Sequence, residues 1–332
     1  MRRSFAAGLA ALTLLLLAGC GGSKASPSEV PEQPSEEPAP PEPTTEELAA
    51  REIETILSSL TLEEKVGQLF FVRCPAEHAI EDIGTYHLGG YLLFGRDYQD
   101  AAGSWLREEQ FVQTITAYQD AALADTGIPL LIGSDEEGGT VTRASRNPNL
   151  FSSPFRSPQQ IAAEAGGRGE AFAEDALEKS NGLKNLGINV NLSPVADVST
   201  EPKDFIYDRT LGQDAQSTAD YVASVVAAVR EAGGMGSVLK HFPGYGNNVD
   251  THTGIAVDQR SLESFFSSDF LPFQAGIRAG GGTAAVLVSH NIMTAVDETL
   301  PSSLSPAVHQ LLREDLGFDG VVMTDDLAMD AV

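Results

Sequence analysis

A carboxylate and an imidazole two residues apart, Asp250-Thr251-His252, follow closely on the stretch Lys240-His241-Phe242-Pro243-Gly244-Tyr245-Gly246. A second acidic group, Thr324-Asp325-Asp326-Leu327, follows the apolar run Gly320-Val321-Val322-Met323. Together they are candidates for an acid/base and a nucleophile. Neither pair acts unless the fold brings them to one place.

The elements that must do so alternate short apolar runs with long amphipathic stretches, the signature of βα units around a parallel sheet. Seven buried strands are predicted: Gln68 to Arg73, Gly90 to Phe94, Pro129 to Ser134, Ile188 to Val198, Ser237 to His241, Thr283 to Ser289 and Gly320 to Thr324. Helical periodicity covers Glu109 to Leu123, Gln159 to Leu186, Ala215 to Ala232, Leu262 to Ala279 and Pro306 to Leu316. Thr61-Leu62-Glu63-Glu64 carries the capping pattern that starts another helix.

Polar residues cluster at the C-terminal ends of the apolar runs: Asp135-Glu136-Glu137, Asp197, Lys240-His241, His290 and Asp325. In a TIM-type (β/α)8 barrel those ends converge on one face, where such enzymes place their chemistry. An open doubly wound sheet is also parallel, but its first strand normally leads into a Gly-rich phosphate turn. None occurs here; Gly138-Gly139 is too short for a dinucleotide loop, and there is no P-loop.

Arg2 and Arg3 precede an apolar run from Phe5 to Ala18 that closes in Leu17-Ala18-Gly19-Cys20. This reads as an export signal over residues 1–19, too short to span a bilayer comfortably. Its small-residue ending in cysteine resembles the lipobox of bacterial lipoproteins, which implies lipidation of Cys20 and an extracytoplasmic protein anchored to the cell membrane. Residues 20–43, rich in Pro, Glu and Ser, read as a disordered tether, and residues 44–332 as the folded domain. With Cys20 lipidated, Cys74 is the one remaining cysteine, so no internal disulfide is expected. A net charge of −26 argues against nucleic acid as a partner.

Six ordered blocks resemble glycoside hydrolase family 3, in its single-domain β-N-acetylglucosaminidase branch: Thr61 to Leu69, Asp135 to Val141, Gly187 to Val198, Asp208 to Gly212, Lys240 to Gly244 and Gly317 to Leu327. The resemblance implies a retaining exo-β-N-acetylglucosaminidase acting on terminal N-acetylglucosamine of peptidoglycan fragments or chitooligosaccharides. Asp325 matches the family's nucleophile, and Asp326 beside it reads as a structural or capping carboxylate. His252 matches the acid/base, with Asp250 orienting its ring; two residues apart on a loop can face one side. Gly244 to Asn248 has the composition of a mobile loop. Asp135, Arg143, Arg209, Lys240 and His241 carry over as substrate contacts, with one of the five expected to be mainly structural. His290 lines the pocket or serves packing.

No organic cofactor is implied, and one Asp-x-His supplies two metal ligands with no third patterned near it. Two alternatives stand beside this reading: a family 3 β-glucosidase, against which the Asp-x-His loop argues, and a lipoprotein that binds muropeptides without turning them over. Three departures from the family pattern are Thr140 for arginine, Tyr245 for histidine, and a loop from Gly246 to Asp250 about one residue short. The chain also stops after the seventh predicted strand where the family has an eighth, so the expectation is a truncated barrel from a longer protein, with two unpaired strand edges.

Overall fold

The structure is a computed structural model and describes residues 43–166, 168–251 and 254–332. The export signal, Cys20, nearly all of the tether, and His252 lie outside the described residues. The chain divides into two compact units, Met1–Glu52 and Ile53–Val332. The described part of the first is the beginning of helix α1 (Thr45–Ser59). No helix among the described residues is long and apolar enough to cross a membrane.

The second unit is built from βα units. In chain order come α2 (Leu62–Gly67), β1 (Phe71–Arg73), α3 (Ala79–Tyr86), β2 (Gly90–Leu93), α4 (Glu108–Asp125), β3 (Leu131–Ser134), α5 (Pro158–Ala165), α6 (Ala171–Asn185) and β4 (Val190–Asn191). Then follow α7 (Ala215–Ala232), β5 (Gly236–Phe242), β6 (Val257–Asp258), α8 (Leu262–Ser267), α9 (Phe270–Gly280), β7 (Ala284–Val288), β8 (Ile292–Met293), α10 (Pro306–Gln310) and β9 (Val322–Thr324). One seven-stranded sheet runs β1-β2-β3-β4-β5-β7-β9, parallel throughout, and β6 pairs with β8 in a separate two-stranded sheet. The seven predicted strands are these seven, and the sheet curls as a partial TIM-type barrel with β1 and β9 at its margins.

Side-chain caps set several helix starts. The predicted capping box forms: the Glu64 amide donates to Thr61 Oγ1 at 3.2 Å and the Thr61 amide to Glu64 Oε2 at 2.6 Å. Helix α7 starts at Asp214, whose side chain accepts from the Ser217 amide at 2.8 Å.

Four predicted spans are corrected. Ile188 to Val198 is a strand only at Val190–Asn191, because side chains take over the pairing: Asn189 Oδ1 accepts from the Ile132 amide at 2.7 Å and Asn191 Oδ1 from the Glu136 amide at 3.0 Å. Pro194 then has no amide to continue a ladder. Gln159 to Leu186 divides into α5 and α6 where Gly166 adopts a left-handed backbone, φ 58°. Leu262 to Ala279 divides into α8 and α9 at Ser268, which leaves the helical region with φ −135°; Pro272 sits in the first turn of α9, where a missing amide costs little. Pro306 to Leu316 begins as α10 and widens into a π-helical turn over Leu311–Asp315.

Apolar packing fixes where β5 lies. Phe242 stacks on Phe270 at 5.4 Å and meets Phe273 edge-on at 5.2 Å, all three buried between the sheet and its helices. Each buried phenylalanine stabilises by about 1.5–3 kcal/mol. On the inner face, Val190, Leu192, Val238 and Leu287 form a smaller cluster. The β5–β7 register shifts between Leu239 and Phe242, so both of these pack toward the helices while Lys240 and His241, between them, reach the polar groups at the strand end. The Lys240–His241 peptide is cis, as are Ser193–Pro194 and Phe242–Pro243.

Candidate active site

Three segments meet at the C-terminal end of the sheet: the residues after β3, the end of β5, and the loop between β4 and α7 that contains Arg209. Lys240 Nζ donates to Asp135 Oδ1 at 2.7 Å and lies 2.7 Å from Glu137 Oε1. Arg209 grips the same glutamate with two donors, Nη2 to Oε1 at 2.7 Å and Nε to Oε2 at 2.9 Å. Arg143 Nη2 stands 3.6 Å from the other Asp135 oxygen.

Glu137 and Lys240 are each only 2 % exposed, so their charges persist because each is paired. Burial opposes ionisation of Glu137, but Arg209 and Lys240 outweigh it and hold this carboxyl well below the usual range. Lys240 is likewise penalised by burial, and Asp135 and Glu137 more than restore its charge. The site thus holds fixed, oppositely charged donors and acceptors of the kind that recognise hydroxyl and amide groups.

His241 is locked on both sides. Its Nδ1 lies 2.8 Å from Asp197 Oδ2 and its Nε2 2.9 Å from Arg209 Nη2. Arg209 can only donate, so Nε2 accepts and the proton sits on Nδ1, donated to Asp197. Asp197 is fully buried and also accepts from the amides of His241 at 3.0 Å and Tyr245 at 2.7 Å. With both ring nitrogens engaged, His241 braces Arg209.

Asp325 closes β9, its amide donating to Val288 O at 2.9 Å, so it stands at the same sheet end, two strands from Lys240. It is half-buried, and its Oδ1 accepts from the Asp326 amide at 3.0 Å. Asp326 Oδ1 accepts from the Ala328 amide at 2.9 Å, and its carbonyl accepts from His290 Nε2 at 2.9 Å. Ser303 Oγ, 2.7 Å away, satisfies the other ring nitrogen. His290 is therefore a buried tie on the turn that carries Asp325.

The loop after β5 approaches this end as well. Tyr245 is buried, and burial pushes its hydroxyl well above the usual phenol range, with the Asp325 charge adding to the effect. The loop thus carries a neutral phenol within the electrostatic reach of Asp325. Asp250, farther along the loop, is half-buried.

Sequence reasoning did not single out Glu137, the hub of the ion network. Three consecutive acids follow β3, and their destinations diverge. Asp135 and Glu137 face the cations, whereas Glu136 turns into the protein and accepts from the amides of Arg143 at 2.7 Å, Ala144, and Ser145 at 3.4 Å. Glu136 shapes the turn that presents Arg143.

Residues 61–332 match the family described as Glycosyl hydrolase family 3 N terminal domain. A β-hexosaminidase of Thiobacillus denitrificans is 34 % identical over 245 residues, which are 73 % of this chain and 64 % of that protein. Among solved structures, a glycoside hydrolase family 3 β-N-acetylglucosaminidase from Paenibacillus superposes with a TM-score of 0.71 at 30 % identity, over 82 % of this chain and 51 % of that one. A β-N-acetylhexosaminidase from Beutenbergia cavernae gives 0.68 at 31 % identity, over 82 % and 80 %. The chain thus spans only part of these relatives' lengths. With the family matched from the first capping box to the last residue, over a parallel barrel-type sheet, this chain belongs to glycosyl hydrolase family 3.

Proposed function

We propose that the protein is a retaining exo-β-N-acetylglucosaminidase that removes terminal N-acetylglucosamine from peptidoglycan fragments or chitooligosaccharides. The observation that carries the reading is the network in which buried Glu137 and Lys240 join half-buried Asp135 and Arg209, at the same sheet end as Asp325. In this reading Asp135, Lys240, Arg209 and Arg143 hold the sugar's hydroxyl and acetamido groups, and His241 keeps the Arg209 guanidinium in place. Preorganised charges of this kind cost no rearrangement when the sugar arrives.

Asp325 attacks the anomeric carbon, and the bond to the leaving oxygen breaks to give a covalent glycosyl-enzyme. His252, oriented by Asp250, gives its proton to the leaving oxygen and then takes one from the water that releases the sugar. The relatives' names, β-hexosaminidase and β-N-acetylglucosaminidase, support the N-acetyl sugar over glucose. The cell-surface location belongs to the same reading, with Cys20 as the lipidated residue; a Cys20→Ser variant is expected to move from the detergent phase to the aqueous phase.

The test compares p-nitrophenyl glycosides of N-acetylglucosamine and glucose. The expected result is turnover of the first, lost in Asp325→Ala and in His252→Ala, with a fluorinated sugar trapped on Asp325 and located by mass spectrometry. Preference for glucose, or a label on another residue, overturns the reading. Binding without turnover leaves a muropeptide-binding protein.

A further inference from the structure

Arg260, outside the ion network described above, lies between two buried carboxylates. Its Nε donates to Asp258 Oδ1 and Oδ2 at 3.0 and 3.1 Å, and its Nη2 to Asp258 Oδ2 at 2.7 Å. Nη1 donates to both oxygens of Asp269, at 2.9 and 2.8 Å. The guanidinium also lies over the Phe265 ring, 4.3 Å from its centre. Asp258 ends β6, which pairs with β8, and Asp269 directly precedes α9. The cluster is therefore anchored to regular structure on both sides.

What rests on the cluster is the loop after β5, at three points. Arg260 Nη2 donates to Gly244 O at 3.2 Å, and Asn248 Nδ2 donates to Asp258 Oδ2 at 2.6 Å. Between them Gly246, φ 53°, lies flat against the guanidinium: a β-carbon there would stand 2.6 Å from Arg260 Cζ. One on Gly244, φ 121°, would stand 2.4 Å from Asp269 Oδ1. The loop backbone is pressed so closely on the cluster that these positions have no room for a side chain. Two residues beyond Asn248 the chain reaches Asp250.

We infer that Arg260 is a positioning residue for the sugar-cleaving reaction: with Asp258 and Asp269 it forms a seat that fixes the Gly244–Asn248 loop, and through it the proton-transfer groups that follow. This rests on the acid/base assignment made above. Arg260 acts through the loop, and the Asp135–Lys240–Glu137–Arg209 network is held by other bonds, so disturbing the seat impairs proton donation and leaves sugar binding intact. An arginine that only stapled β6 to α9 would need no bond to Gly244 and no glycine packed on its face.

The experiment uses the full chain and two N-acetylglucosaminides that differ in their need for an acid. A 2,4-dinitrophenyl group departs unassisted, whereas a 4-methylumbelliferyl group is a poorer leaving group whose departure gains more from a proton. Arg260→Lys is expected to lower kcat/KM on the methylumbelliferyl substrate about 10-fold or more, with the dinitrophenyl value within about threefold of wild type. The inhibition constant of N-acetylglucosamine should not move. Asn248→Ala, which leaves the two carboxylates and the arginine in place, should give the same pattern more weakly. Equal losses on both substrates, a weakened inhibition constant that accounts for the loss, or kinetics unchanged in both variants each overturn the inference. Wild-type protein inert toward both compounds overturns the glycosidase reading itself, and the inference with it.

Discussion

The hydroxyl of Tyr245 lies 2.5 Å from Thr251 Oγ1, and both side chains are buried, at 1 % and 0 % exposure. The amide of the same tyrosine donates to Asp197 at 2.7 Å, so one residue links the brace behind His241 to the position directly before His252.

Tyr245→Phe keeps the ring and deletes that link, leaving a buried threonine hydroxyl without its partner. The expected cost is about 1–3 kcal/mol of stability. A fall in kcat without a change in the inhibition constant of N-acetylglucosamine should accompany it. Urea denaturation and steady-state kinetics check the two parts, and an unaltered kcat would remove Tyr245 from any role in the reaction.

Glu137→Gln removes the charge on which Arg209 and Lys240 both converge. The change leaves Arg209 without its carboxylate and Lys240 with Asp135 alone, and breaking such a buried pair typically costs about 3–5 kcal/mol. The variant is expected to be strongly destabilised in chemical denaturation, and its remaining folded fraction to show a raised KM, because the two cations lose the group that aims them. An unchanged KM would mean that neither cation touches the sugar.

Asp197→Asn replaces an acceptor of three hydrogen bonds, from the His241 amide, His241 Nδ1 and the Tyr245 amide, by a group that must point its own donors at one of them. The Nδ1 proton of His241 then loses its charged acceptor, while Arg209 still donates to Nε2 and keeps the proton on Nδ1. Nuclear magnetic resonance of the imidazole is expected to report the Nδ1-protonated tautomer in both proteins, with the Nδ1 proton shifted upfield in the variant as its hydrogen bond weakens.

Asp269 gives a pH signature. Burial raises its carboxyl to about 6, against the pull of Arg260. The folded state therefore binds this proton more tightly than the unfolded chain, and the associated stability, complete at low pH, is lost as pH rises from about 4 to about 6. Asp269→Asn should flatten that segment of the curve of Tm against pH. A wild-type curve and a variant curve that run parallel across it would exclude the raised value.

The fold was legible where burial writes itself into composition. Ala284 to Val288 reads as an unbroken apolar run because a strand of a parallel sheet is covered on both faces. The strand at Val190–Asn191 was overdrawn because Asn189 and Asn191 spend their side chains on the neighbouring backbone, a use that no hydrophobic pattern reports. The two-residue strands β6 and β8 are too short to show a period at all.

In the site, Asp325 and Lys240 stood out as polar residues ending apolar runs. Glu137 did not, because in Asp135-Glu136-Glu137 only the fold decides which acid meets a cation and which turns inward to cap a loop. Arg260 was invisible for the same reason: its partners Asp258 and Asp269 are ordinary acids in the sequence, and their convergence on Gly244 and Gly246 is a property of three dimensions.

Among the described residues, β1 and β9 each have a neighbour on one side only. On their outer sides neither has a strand partner among the described residues, and Leu69, Phe70 and Val321 stand exposed beside them. Purified as these 332 residues, the protein should behave as a sticky solute. Its light-scattering mass should climb with concentration, and a lysine placed at Val321 should restrain that climb.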